Sequence, residues 1–223
     1  KGTIEIPEND KDEVLLKSDG IPTYHFAHAV DDHLMGTTHV IRGEEWLPSL
    51  AKHIMLFNYL GFKLPKYMHI AQIMRLDEEG NKKKLSKRDM GASLDDYAKM
   101  GIAPECVREY IMTLLNSNYE EWHMQNPDKS PDDFPFSIKK MSISGCLFDF
   151  NKLTDVSKNV ICKMTADKVY EDTAKWAEEF DKEFYDVFTK CPEYAKKILA
   201  IGRGGNKPRK DIATWADVKP YIS

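Results

Sequence analysis

Cysteine is scarce and scattered in this chain. Cys106, Cys146, Cys162 and Cys191 are the only four, with no Cys-x-x-Cys pair and no Cys/His cluster at zinc-ligand spacing. A structural zinc is therefore not expected, and in a chain this long the thiols should be reduced and buried rather than paired. No apolar run is long enough to span a bilayer and no signal peptide is recognisable, so a cytoplasmic protein with no membrane partner is expected. The common phosphate-binding devices are missing as well. There is no Gly-x-x-x-x-Gly-Lys-Ser/Thr loop, no Gly-x-Gly-x-x-Gly after a strand and no Gly-x-Ser-x-Gly elbow. Gly202-Arg203-Gly204-Gly205 follows a helical pattern and reads as a helix terminator leading into a basic loop. No internal repeat is visible. With 223 residues, 42% hydrophobic and 30% charged, the chain has the composition of a soluble globular protein of one large or two small domains. It opens at Lys1 directly in strand-like sequence, which reads as a piece of something longer.

What is present is a basic run in an acidic chain. Five of the seven residues from Lys82 to Arg88 are basic, whereas the formal net charge is −4. A charge run by itself is a solvated face. The pattern Lys84-Leu85-Ser86-Lys87-Arg88, placed just past an apolar strand-like run, also suits a mobile loop around a polyphosphate. Lysine ammonium groups are point charges that can follow charge moving along phosphates.

The first part alternates elements. Residues 2–6 and 13–17 read as a β-hairpin. Thr23 is positioned to cap a helix carrying Phe26, Val30 and Leu34, closed by Gly36. Residues 38–41 form a β-branched strand, and a helix over 44–60 follows, with the stripe Trp46, Leu50, Ile54 and Phe57 and a stop at Gly61. Pro48 fits only in its first turn. Residues 67–74 are the next strand. This rhythm predicts a parallel α/β sheet. Beyond the basic run, Ser93-Leu94-Asp95-Asp96 resembles a capping box, and that helix ends at Gly101. Pro104 opens a helix with Val107, Ile111, Leu114 and Leu115 inward. Residues 119–135 read as irregular, and only helices are expected after residue 138. One long helix spans 166–188, and another opens at Pro192. The expected fold class is α/β followed by an all-α region.

Arg42 stands where a strand runs into a helix, the place where open α/β sheets bind ligands, and arginine can grip a carboxylate bidentately. Glu44 and Glu45 in the next turn suit the helix dipole, with or without a ligand. Tyr24, His28 and Asp32 share one helix face. His25, His28, Asp31, Asp32 and His33 spread too widely round the helix to make a metal site, so none is expected there.

These segments together resemble the glutamyl-tRNA synthetases, a class I aminoacyl-tRNA synthetase family. The resemblance rests on Pro22-Thr23-Tyr24-His25-Phe26-Ala27, Val30-Asp31-Asp32-His33-Leu34-Met35-Gly36, Thr38-His39-Val40-Ile41-Arg42-Gly43-Glu44-Glu45-Trp46 and Lys84-Leu85-Ser86-Lys87-Arg88, in that order. It is dense over residues 15–115 and looser past Phe148-Asp149-Phe150-Asn151-Lys152-Leu153. It implies the second half of a Rossmann-like class I core over 1–80, a signature loop and stem-contact region over 81–163, and the helical start of an anticodon-binding region over 164–223. It also implies a reaction in which glutamate and ATP, arriving with Mg²⁺, give glutamyl-adenylate, and the glutamyl group then passes to tRNA for glutamate, tRNA for glutamine being a further option. Tyr24, His28, Arg42, Glu45 and Trp46 would line the substrate pocket, with Arg42 on the side-chain carboxylate. Ile73 and Met74 would present backbone to adenine, and Lys84, Ser86 and Lys87 would serve catalysis at the phosphates. Position 28 departs from the family, which more often has Asn there. The first class I signature, His-Ile-Gly-His, is not among the seven histidines. The isolated chain is therefore expected to be inactive, and a monomer is expected. A non-catalytic tRNA-binding module, using the basic loops 82–88 and 203–210, is the alternative of a different class. A glutaminyl-type enzyme, or a truncated paralogue that transfers glutamate elsewhere on tRNA, is the alternative within the class. Arg42 argues against the former and the helical continuation against the latter.

Overall fold

The computed structural model describes residues 5–86, 89, 92–141 and 146–222. They form two compact units, one built from the residues up to Gln72 and one from Ile73 onward.

In the first unit, helix α1 (Tyr24–Leu34) precedes strand β1 (His39–Gly43). A 3₁₀ turn over Glu44–Ser49 leads into helix α2 (Leu50–Tyr59), and strand β2 (Lys66–Ile70) returns parallel to β1. The register pairs His39 with Lys66 and Arg42 with His69. This strand–helix–strand crossover is the parallel arrangement expected from the alternation. Pro48 falls in the 3₁₀ turn, because its ring excludes a regular helix interior, so the helix expected over 44–60 divides there. Gly61 ends α2 with φ +68°, a left-handed conformation that suits glycine. A small core of Ala29, Leu56 and Phe57 gathers Leu15, Phe26 and Phe62.

One expectation fails in this unit. Residues 13–17 form no strand. Leu16 makes only an isolated antiparallel bridge to Pro22, and the other half of the expected hairpin lies largely outside the described residues. Thr23 is the N-cap residue of α1, as expected, but its hydroxyl makes no cap bond and donates instead to the Leu15 carbonyl 3.2 Å away, tying the preceding segment to the helix start.

The second unit opens with a hairpin of β3 (Ile73–Leu76) and β4 (Lys82–Lys84). Helices α3 (Leu94–Met100), α4 (Pro104–Leu115) and α5 (Tyr119–Gln125) follow. Strand β5 (Cys146–Leu147) joins β3 in parallel, giving the order β4-β3-β5. The rest is helical: α6 (Phe150–Ile161), α7 (Ala166–Phe180), α8 (Lys182–Phe188), α9 (Pro192–Ala200) and α10 (Lys219–Ile222). Leu153, Ile161, Val169, Ala177, Phe188 and Val218, all but fully buried, anchor the core.

The strand expected over 67–74 is really two, β2 and β3, assigned to different sheets. Residues 119–125 are helical despite the prolines that follow, because those prolines begin only at Pro127. The helix expected over 166–188 breaks at Asp181, whose non-helical backbone lets its carboxylate accept the Phe184 N–H and start α8. In α4 the inward face is Cys106, Val107 and Tyr110, while Ile111 is exposed. The strand β5 contradicts the expectation of helices alone after residue 138; two residues are too few for a period to register.

Candidate functional site

In the first unit a cluster of rings surrounds Arg42. The guanidinium lies 5.4 Å from the Tyr24 ring centre and 5.1 Å from that of Trp46, and the two rings are 4.8 Å apart. Such placement over aromatic faces favours a cation. An Arg42 N–H donates to His53 Nδ1 at 3.1 Å, and His53 Nε2 lies 2.8 Å from His25 Nδ1. On α1, His28 Nδ1 is 2.6 Å from the Asp32 carboxylate and its Nε2 is 2.9 Å from the Tyr67 hydroxyl. Thr37 donates to the same carboxylate at 3.1 Å. A cavity of about 360 Å³ opens among Tyr24, His28, Asp31, Asp32, His39 and Arg42. Among the described residues, no carboxylate forms an ion pair with Arg42.

The ring protonation follows from the partners. Arginine only donates, so His53 Nδ1 must be a lone pair and Nε2 must carry the proton that points at His25. Burial, seconded by His28 and by Arg42, pushes the His53 pKa down to about 3. Burial and then Arg42 also lower His28, against the pull of Asp32, so His28 donates to Asp32 and accepts from the Tyr67 hydroxyl. Burial raises Tyr67 to about 12, which keeps that hydroxyl a donor. The cluster is thus a net of neutral rings around one guanidinium that has no carboxylate partner among the described residues. It can receive a carboxylate at Arg42, and Asp31 and Asp32 supply negative charge for an ammonium group.

The structure brings Tyr24, His28, Arg42 and Trp46 together. Glu45 is exposed, with its carboxylate folded against Gly43 so closely that a side chain at 43 would collide with it. His53 and Tyr67 were not among the candidates. His53 was legible in part, because it falls between Leu50 and Phe57 on the buried stripe of α2, where a polar ring needs partners.

In the second unit the phosphate-side candidates sit on and after the β3–β4 hairpin. Ile73 and Met74 lie on β3, where Ile73 is partly exposed and its carbonyl accepts the Leu85 N–H at 3.0 Å. Lys84 is on β4, not in a loop; three successive lysines make an exposed edge strand that resists further pairing. Asp77 closes the hairpin by accepting the Glu79 and Asn81 N–H groups and pairing with Lys83 at 2.9 Å. Lys83 and then these backbone bonds hold its carboxyl down to about 2. Asp89 accepts the Ser86 N–H at 2.7 Å and pairs with Arg75 at 2.9 Å, fixing the turn after Lys84. Lys87 and Arg88 lie outside the described residues.

The basic loop over 203–210 is partly structural. Arg203 turns inward and donates to the carbonyls of Leu199, Ile161 and Met164, joining the ends of three segments, and burial lowers its pKa. Arg209 pairs with Asp211 and lies over the Tyr221 ring. Among the described residues no group of three or more His, Cys, Asp or Glu side chains gathers to hold a metal, and no helix is long and apolar enough to cross a membrane.

With a parallel α/β unit, a guanidinium pocket and a lysine-bearing hairpin in place, the comparisons define the class. The chain belongs to the family of tRNA synthetases class I (E and Q), catalytic domain, which it matches over residues 1–146. Among curated relatives, the glutamate–tRNA ligase of Acetivibrio thermocellus is 53% identical over the whole chain, and that of Clostridium perfringens is 49% identical. The chain spans about 41% of the length of these relatives. Among solved structures, a glutamate tRNA ligase from Elizabethkingia meningosepticum, in complex with its amino acid, superposes with a TM-score of 0.72 at 28% identity, covering 94% of this chain and 42% of that one. The glutamate-tRNA synthetase of Elizabethkingia anophelis gives the same TM-score at 27% identity, again over 94% of this chain and 42% of that one.

Proposed function

We propose that this chain is the carboxyl-side part of the catalytic core of a glutamate–tRNA ligase. The enzyme activates glutamate with ATP and transfers it to tRNA, acting as a cytoplasmic monomer on tRNA for glutamate. The observation that carries the reading is Arg42, a half-buried guanidinium held by neutral rings and left without a carboxylate partner among the described residues. An arginine so placed binds an anion at the least cost, because no internal ion pair has to break.

In this reading Arg42 takes the side-chain carboxylate of glutamate, with Tyr24, His28, Glu45 and Trp46 lining the substrate pocket. Ile73 and Met74 offer backbone to the adenine. Lys84 and Lys87, with Ser86, meet the phosphates of ATP, which arrives as its Mg²⁺ complex. The glutamate carboxylate displaces pyrophosphate at the α-phosphate, and the ammonium groups stabilise the charge that builds on the phosphate oxygens. We assign residues 1–80 to the catalytic half-sheet, 81–163 to the signature loop and stem contacts, and 164–223 to the start of an anticodon-binding region.

The test is Arg42→Ala in the full-length enzyme. Losing a charge-assisted bidentate pair costs about 2–4 kcal/mol, so KM for glutamate should rise roughly 30- to 1000-fold. An unchanged KM for glutamate would refute the pocket assignment. The 223-residue chain alone should show no glutamate-dependent pyrophosphate exchange even with tRNA, since it carries no His-Ile-Gly-His segment. Measurable exchange by it would contradict this division of labour.

A further inference from the structure

We propose that His53 is a positioning residue: it sets the direction of the Arg42 guanidinium and keeps its charge unspent for the substrate carboxylate. This rests on the reading that Arg42 takes that carboxylate.

His53 is 1% exposed, the most buried of the rings around Arg42. It sits on the apolar stripe of α2 between Leu50 and Phe57, where a leucine would satisfy packing alone. Instead both of its nitrogens are engaged, one accepting from Arg42 at 3.1 Å and the other facing His25 at 2.8 Å. The hydrogen bonds run one way, from Arg42 to His53 to His25, because the arginine at their head can only donate. The His28 ring packs edge-on against His53 with centres 4.6 Å apart, which fixes the plane of the imidazole and so the direction of its lone pair.

The neutrality of this acceptor is what matters. A carboxylate at position 53 would hold the guanidinium as firmly but would also neutralise it, and glutamate would then have to compete with an internal counter-ion. An aliphatic side chain would leave the charge available but the long side chain free to turn, and binding would weaken by the entropy lost when the ligand orders it. An imidazole with its lone pair toward Arg42 avoids both penalties. Tyr24 and Trp46 flank the cation without choosing which N–H points where, so the direction falls to His53.

Four variants of the full-length enzyme test this. His53→Leu removes the acceptor and should raise KM for glutamate about tenfold while kcat and KM for ATP stay within twofold. His53→Asn places a neutral oxygen near the former Nδ1 and should return KM to within threefold of the parent. His53→Gln reaches instead toward the former Nε2 and should resemble His53→Leu. His53→Asp should raise KM at least as far as His53→Leu, because Arg42 gains a counter-ion. Equal KM values for the Asn and Gln variants would overturn the proposal, and that comparison stands even if the leucine variant fails to fold. Arg42→Ala is measured alongside. A raised KM there with an unchanged KM in His53→Leu sinks the role of His53 alone, whereas an unchanged KM in Arg42→Ala sinks the pocket reading beneath it.

Discussion

Lowering the pH from 7.5 to 5.0 should loosen the first unit through His53. In the folded chain this imidazole takes up a proton only near pH 3, because it is buried beside His28, Arg42, His25 and Lys52. In the unfolded chain it does so near 6.5. Below pH 6.5 the unfolded state therefore binds more protons than the folded state, and stability falls as pH falls. The contribution is complete above about 6.5 and is lost progressively toward 3. Between pH 7.5 and 5.0 the loss from His53 alone is about 2 kcal/mol, or roughly a 30-fold drop in the protection of amides that exchange through opening of this unit. The groups facing His53 are Tyr24, His25 and His28 on α1, Arg42 on β1, Tyr67 on β2 and Lys52 on its own helix. His25 and His28 are also lowered and push in the same direction. The carboxyls held low, Asp77, Asp89, Asp132 and Asp181, titrate at more acid pH and belong to the second unit. Native-state hydrogen exchange of peptides covering Leu50–Tyr59, corrected for the intrinsic rate at each pH, reads the effect directly. His53→Leu should remove about 2 kcal/mol of the pH dependence and leave the part due to His28. Equal pH slopes in the parent and the leucine variant would show that His53 is not a buried neutral base.

Two further expectations concern other parts of the chain. Lys87→Ala in the full-length enzyme should lower the rate of adenylate formation about 10²-fold or more with little change in KM for glutamate, as rapid-quench kinetics would resolve; a collapse of glutamate binding at an unchanged rate would assign the wrong role to this lysine. Gly101→Ala should destabilise the second unit by more than about 1 kcal/mol in urea titrations, since Gly101 has φ +77° and an added methyl would meet the Trp215 backbone N at 3.0 Å. A neutral result would mean that this helix end relaxes.

Much of the element order was legible because its signals are local. Gly36, Gly61 and Gly101 end helices with positive φ, and Pro104 and Pro192 open them. These depend on the conformational limits of single residues, which no distant contact overrides. The segments misread were those where local pattern and tertiary contact disagree. The aromatic stripe continued through Asp181, so the break there was hidden, and its carboxylate also pairs with Lys219 from far along the chain. Lys82 to Lys84 have no strand propensity to speak of; they are extended because the Asp77 turn delivers them to the edge of β3.

For the candidate site the same division holds. Arg42 and Tyr24 could be chosen from the sequence, since a strand-to-helix junction and a shared helix face are set by spacing of a few residues. The partners that decide what Arg42 can do could not. His53 is eleven residues away on the next helix, and His28 finds Tyr67 thirty-nine residues on. By itself the sequence determined where several helices begin and end and which kinds of side chain are available for binding, because the conformational limits of glycine and proline act over short range. Only the tertiary structure decided that His28 and His53 are buried and neutral, and that the guanidinium beside them keeps its charge. Burial and hydrogen-bond direction depend on groups that meet only when the chain has folded.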